Sequence, residues 1–149
     1  MKIVIDSNVL FSALIKDAIT RDIILHYDGY FLFPSYIFEE MEKHKQELVK
    51  KSKMKPKDFN TLLSILLQKV IIIPTEILFP YKQKALEIVK NIDKDDAIFI
   101  ACALRYQPCV LWTDDKKLKQ QSNITIVNTT EMMKLYVPAS SKKNKKTYY

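Results

Sequence analysis

The sequence predicts an α/β fold: a central, mostly parallel five-stranded sheet held between two layers of helices. Three observations carry this. Short β-branched runs alternate with helical patterns along the chain, as β–α–β units require. The segment Ala97-Ile98-Phe99-Ile100-Ala101-Cys102-Ala103-Leu104 is apolar on every face of a helix and so belongs inside the domain. The 149 residues, 48% of them hydrophobic, suit one domain around one core.

Residues 2–5 form a buried strand, ended by Asp6-Ser7-Asn8, which can cap a helix over 9–14. A second helix is expected over 20–27, then a turn at Asp28-Gly29 and a strand over 30–33. Ser35 is placed to cap a helix over 36–51, whose apolar stripe is Ile37, Met41, His44 and Leu48. Pro56 opens the next helix, which carries Phe59, Leu62, Leu63, Leu66 and Leu67. A strand over 70–73, a helix from Pro80 to Val89, the apolar helix over 93–106, strands over 109–112 and 124–127, and a helix over 129–135 complete the domain, taken as residues 1–137. Residues 138–149 are rich in Ser and Lys and are expected to form a disordered basic tail.

Composition narrows the function. No run approaches the roughly 18 to 20 apolar residues of a membrane span, and Asp6 arrives too early for a signal-peptide core, so a cytoplasmic location is expected. Cys102 and Cys109 lack a paired-Cys spacing, and only His26 and His44 could join them, which argues for buried reduced thiols over a zinc site. The single glycine, Gly29, excludes glycine-rich phosphate loops. The formal charge is +7, and four of the lysines lie in the tail. A second basic stretch runs through Lys50, Lys51 and Lys53. Such lysines suit a polyanionic substrate, though taken alone they are better read as keeping the surface soluble.

The acids carry the chemistry. In parallel α/β folds ligands sit beyond the carboxyl ends of the strands. Asp6 follows the first strand and Asp114-Asp115 follow the fourth, so both fall there. At about 100° per residue, Glu40 lies roughly 60 to 70° from the centre of its helix's apolar stripe, and Glu39 points nearly opposite. Glu40 is therefore expected to lean inward. Asp96 lies in the first turn of the apolar helix, with Asp93 as its expected cap. Each acid alone has an innocent reading as a cap or a lysine partner. Converged, they would repel one another unless a hard divalent cation held them, and carboxylate-only ligation selects Mg²⁺ or Mn²⁺.

Four segments together resemble the PIN-domain family, in its VapC-like, toxin-type form. They are Ile5-Asp6-Ser7-Asn8-Val9-Leu10, Ser35-Tyr36-Ile37-Phe38-Glu39-Glu40-Met41, Asp93-Lys94-Asp95-Asp96-Ala97-Ile98 with the apolar run that follows, and Val110-Leu111-Trp112-Thr113-Asp114-Asp115. The resemblance implies a three-layer α/β/α sandwich and a metal-dependent endoribonuclease using one or two Mg²⁺ or Mn²⁺ ions. It implies Asp6, Glu40, Asp96 and Asp115 as catalytic metal ligands, with Asp114, in the motif's variable place, as a further candidate. Asn8, Thr113 and Asp93 become supporting residues, and Lys43, Lys50, Lys51 and Lys53 become candidates for holding RNA. Many members are toxins inhibited by a cognate antitoxin, and many are homodimers, so both partners are expected alongside RNA. Three other classes stay open on the residues: a non-catalytic RNA-binding or scaffold domain, a phosphoryl-transfer protein with an aspartyl nucleophile, and an interaction protein whose acidic cluster is structural and metal-free.

Overall fold

The computed structural model describes residues 1–15 and 18–136. The basic tail expected over 138–149 lies outside the described residues. Five strands form one sheet: β1 (Lys2–Ile5), β2 (Phe31–Pro34), β3 (Val70–Ile73), β4 (Cys109–Trp112) and β5 (Thr125–Val127). Their spatial order is β3-β2-β1-β4-β5, and every pairing is parallel. The chain builds β1, β2 and β3 outward on one side and then returns to lay β4 against β1, with Ile5 opposite Trp112. The order of the sheet thus reverses at the β1–β4 junction, the place where parallel α/β sheets seat their ligands.

Eight α-helices cover the sheet among the described residues: α1 (Ser7–Ile15), α2 (Ala18–His26), α3 (Ile37–Ser52), α4 (Pro56–Leu67), α5 (Thr75–Leu78), α6 (Lys82–Val89), α7 (Ala97–Arg105) and α8 (Thr129–Leu135). They pack in two groups. Helices α5, α6 and α7 lie together, and α1 packs with α2, α3 and α4, with α8 against α2. The result is the three-layer sandwich. Trp112, Phe31, Phe33 and Ile5 are fully buried in the sheet's interior, and α7 buries Phe99, Ile100 and Cys102 against it. None of the helices is long and apolar enough to cross a membrane. Both cysteines are free and buried, and burial pushes the Cys102 thiol up to about 12, far from the reactive thiolate.

Local chemistry explains the boundaries. Lys55 is extended and Pro56 takes the first position of α4, where its missing N–H costs nothing. Gly29 sits at φ +147° in the turn before β2, a conformation L side chains avoid, and a Cβ there would lie 3.1 Å from the Tyr27 ring.

Four expectations need correction. Ser35 does not cap α3. Its hydroxyl bonds the Thr75 hydroxyl and accepts from the Thr75 N–H (both 3.2 Å), tying the end of β2 to the start of α5. The segment expected as one helix from Pro80 begins earlier, as the short α5 and a 3-10 turn over Phe79–Tyr81, with Pro80 in the first positions of that turn, where its missing N–H costs nothing. The helix expected over 93–106 opens instead with a 3-10 turn over Lys94–Asp96. Finally, His44 is not part of α3's buried stripe. Its exposed ring faces Glu47, while Phe38 and Val49 pack against the core beside Ile37, Met41 and Leu48. The buried face is therefore rotated toward Phe38 and Val49.

Candidate metal centre

Asp6 leaves β1 at the β1–β4 junction, its backbone N–H donating to the Trp112 carbonyl (3.1 Å). It is 3% exposed and held by donors on both oxygens. The Asn8 N–H donates to Oδ1 at 2.7 Å and the Thr113 hydroxyl donates to Oδ2 at 2.5 Å, with the Ser7 hydroxyl 3.5 Å from Oδ1. Burial raises its pKa, the Thr113 and Asn8 bonds oppose that rise, and the neighbouring charge of Asp115 adds to it. Thr113 does double work, since its Oγ1 also accepts the Asp115 N–H (3.1 Å). One hydroxyl therefore fixes an acid from β1 relative to an acid after β4. Asp115 in turn accepts the Lys117 N–H at 3.0 Å and caps the 3-10 turn Lys116–Gln120.

The third element is the start of α7. Asp93 is extended, and its Oδ1 accepts the Asp95 N–H (3.0 Å), so it caps the 3-10 turn as the sequence suggested. Asp96 occupies the N-cap position of α7 yet makes no capping bond. Its Oδ2 is buried with no hydrogen-bond partner. Burial, then the charges of Asp6, Asp93 and Asp115, push the Asp96 carboxyl up to about 7, and its carboxyl-to-carboxyl approach to Asp115 adds to the rise. Asp93, Asp96 and Asp115 each present one oxygen, and these oxygens lie within 4.8 Å of one another.

The fold thus brings Asp6, Asp96 and Asp115 into one electrostatic neighbourhood and adds Asp93, which sequence reasoning gave only a supporting role. The signal for Asp93 was its spacing: residues three apart eclipse on a 3-10 turn, which puts Asp93 and Asp96 on one side. Glu40 stands outside the three-oxygen group. It is only partly buried, and its Oε1 accepts from the Tyr36 hydroxyl and Lys43 Nζ, both at 3.3 Å. It does lean further inward than the exposed Glu39. With the buried face of α3 centred toward Phe38 and Val49, however, Glu40 lies about 120° from that centre, not 60 to 70°. Asp114 commits both oxygens to Thr129, accepting its N–H at 2.7 Å and its hydroxyl at 2.6 Å. Of the basic candidates, Lys43 pairs with Glu40 and Lys51 with Glu47 (2.8 Å), while Lys50 and Lys53 are exposed near the far end of α3, roughly 15 Å along the helix from Glu40.

The donor set fits a hard divalent cation. The clustered groups offer only carboxylate oxygen, with no His or Cys, and one of those oxygens is buried without any partner that would offset its loss of water. Four negative charges in this crevice repel one another, and a cation converts that repulsion into attraction.

Sequence and structure comparisons agree with this architecture. The family model for the PIN domain matches residues 4–138. No curated protein matches the chain in sequence. Among solved structures, a chain of VapBC2 from Rickettsia felis, bound to a DNA fragment from the promoter, superposes with a TM-score of 0.64 at 20% identity, covering 86% of this chain and 98% of its own. PAE2754 from Pyrobaculum aerophilum superposes with a TM-score of 0.63 at 15% identity, covering 91% of this chain and 89% of its own. At these identities the likeness is one of fold.

Proposed function

Because the chain belongs to the PIN-domain family, whose members are generally nucleases, we propose that it is a metal-dependent endoribonuclease hydrolysing RNA phosphodiester bonds. One observation carries the reading: the buried, unpartnered Oδ2 of Asp96, crowded by Asp93 and Asp115 where the sheet order reverses. Asp93 already caps this helix start, and an acid serving only the helix dipole would keep its oxygens in water, whereas Asp96 buries one unpaired.

In this mechanism Asp93, Asp96 and Asp115 would hold Mg²⁺ or Mn²⁺, with Asp6 beside them. When bound, the cation supplies Lewis acidity that withdraws charge from phosphate oxygens and eases formation of a nucleophile near neutral pH. Thr113 and the Asn8 N–H keep Asp6 oriented toward the site. Asp115, fixed by Thr113 and Lys117, cannot swing away to relieve the repulsion from Asp96. Glu40, a further ligand by the family resemblance, would join them by exchanging its bonds to Tyr36 and Lys43 for the cation. The fold likeness to VapBC2 supports, as part of the same proposal, a role as the toxin of a toxin–antitoxin pair.

The test is cleavage of single-stranded RNA by the wild type with Mn²⁺ or Mg²⁺ and with chelator, beside Asp6→Asn and Asp96→Asn proteins checked for folding. Metal-dependent cleavage lost in both variants supports the assignment. Undiminished cleavage by well-folded variants removes it. Metal should also raise the wild type's melting temperature, because the native state alone presents the converged oxygens.

A further inference from the structure

Beside the carboxylates lies a largely apolar cavity of about 440 Å³. Its walls include Tyr36, Leu78, Phe79 and Ile98, with Lys82 and Lys94 also lining it. It adjoins the acids at two points. Tyr36 donates its hydroxyl to Glu40, and Lys94, Asp95 and Ala97 flank Asp96 in sequence. Phe79 is 69% exposed and Tyr36 43%, an unusual outlay of aromatic surface for one small region. Lys82 holds its ammonium 5.5 Å from the centre of the Phe79 ring. Among the described residues neither Lys82 nor Lys94 pairs with a carboxylate.

We propose that this cavity is a base-binding subsite, in which one unstacked nucleobase of single-stranded RNA lies against Phe79 and Tyr36 while Lys82 and Lys94 hold its flanking phosphates. The proposal rests on the nuclease reading for the identity of the polymer. The chemistry fits. Every base has a flat π-face, so aromatic platforms bind single strands without regard to sequence, and free cations at the rim match the backbone charge. A paired or stacked base cannot enter a recess of this kind. The cavity therefore selects single-stranded segments, and a base seated in it sets the neighbouring phosphates beside the carboxylates.

The binding test needs no metal. Full-length protein in chelator is titrated with a labelled single-stranded oligoribonucleotide of mixed sequence and with a strand of the same length that is abasic throughout. In the wild type the abasic strand should bind roughly ten-fold or more weakly, and that penalty should shrink in Phe79→Ala. Phe79 is exposed enough that its truncation should leave the melting temperature nearly unchanged. Lys82→Ala should weaken both strands together and flatten their salt dependence. Equal binding of the two strands, or a penalty unchanged in Phe79→Ala, overturns the subsite and reassigns the cavity to an apolar protein segment. The nuclease reading fails separately: it falls if no metal-dependent cleavage occurs even though the abasic penalty is present.

Discussion

Two helix starts at the same rim of the sheet place acids in opposite circumstances. At α8, Asn128 accepts the Glu131 N–H at 2.8 Å, Glu131 accepts the Asn128 N–H at 3.3 Å, and Lys119 donates to Glu131. Nearby, Trp112 Nε1–H donates to the Thr129 hydroxyl (3.0 Å), which donates onward to Asp114. All of these acids have donors, and the lysine and backbone bonds at Glu131 hold its carboxyl below the usual carboxylate range. At α7, Asp96 stands at the N-cap position with no capping bond, one oxygen buried and unpaired, and three like charges beside it. The first arrangement stabilises the fold. The second crowds like charges, and the proposed cation would relieve that crowding. Acids at the two helix starts thus separate by their donors into a satisfied set and a crowded one, and the proposed function assigns the metal to the second.

The largest expected effect breaks this contrast directly. Asp96→Asn should lower metal-dependent RNA cleavage by roughly a hundred-fold or more, beyond the 10- to 100-fold usual for a merely supporting residue. In chelator the same substitution should raise the melting temperature by at least about 2 to 4 °C, because it removes a crowded charge and adds an amide donor toward Asp115. The pH dependence follows. The unfolded chain releases the Asp96 proton near 3.8, whereas the native carboxyl keeps it until about 7. Between those values the native state binds more protons, so this group's contribution to stability falls as pH rises and is fully lost above about 7. Melting curves in chelator should show the wild type losing stability across that window relative to Asp96→Asn, and Mn²⁺ should close the gap. Parallel curves for the two proteins would refute the crowded-charge account.

Thr113→Val comes next. It removes the donor to Asp6 Oδ2 and the acceptor for the Asp115 N–H together. Leaving those buried groups unpaired should cost about 1 to 3 kcal/mol in urea unfolding. Cleavage should drop roughly ten- to a hundred-fold as Asp6 and Asp115 lose their shared orientation. Thr113→Ser, which keeps the hydroxyl, should recover most of the activity. A Val variant with full activity would show that Thr113 only packs.

Much of this was legible in the sequence because it is local. The strands over 70–73 and 109–112 stand where the short apolar runs put them, and the acids after β1 and β4 follow from finding strand ends. What escaped depends on tertiary choice. The rotation of α3 toward Phe38 and Val49 leaves His44 in solvent, and two neighbouring apolar stripes on one helix look alike until the core selects one. Helix α5 spans only Thr75–Leu78, too short to show a period. The bonds of Asp114 to Thr129 escaped because that partner lies fifteen residues on in the chain. Asp93 joined the acids only because a 3-10 turn, not an α-helical one, precedes α7.

Glu40→Gln sharpens the comparison at its border. Glu40 has partners, as the α8 acids do, yet the family resemblance names it with the unpartnered group. Its pair with Lys43 is largely exposed and worth less than about 1 kcal/mol, so stability should hardly change. Activity should fall by less than about ten-fold, well short of the Asp96→Asn loss. A loss equal to that of Asp96→Asn would move Glu40 into the centre of the working enzyme and show that its bonds to Tyr36 and Lys43 are exchanged for the cation.

The smallest effect tests the structural half. Asn128→Ala deletes the side chain that accepts the Glu131 N–H and dissolves the capping box of α8. The expected cost is about 1 kcal/mol, read as a melting temperature lower by about 2 to 4 °C. Cleavage per folded molecule, measured well below that melting temperature, should be unchanged, since α8's acids are satisfied by groups that hold no part of the carboxylate cluster. Reduced turnover in a fully folded Asn128→Ala protein would mean that the Asp114–Thr129 contact transmits strain to Asp115. The two helix starts would then form one coupled unit, and the division between acids that stabilise and acids that bind would fail at the residue pair Asp114-Asp115.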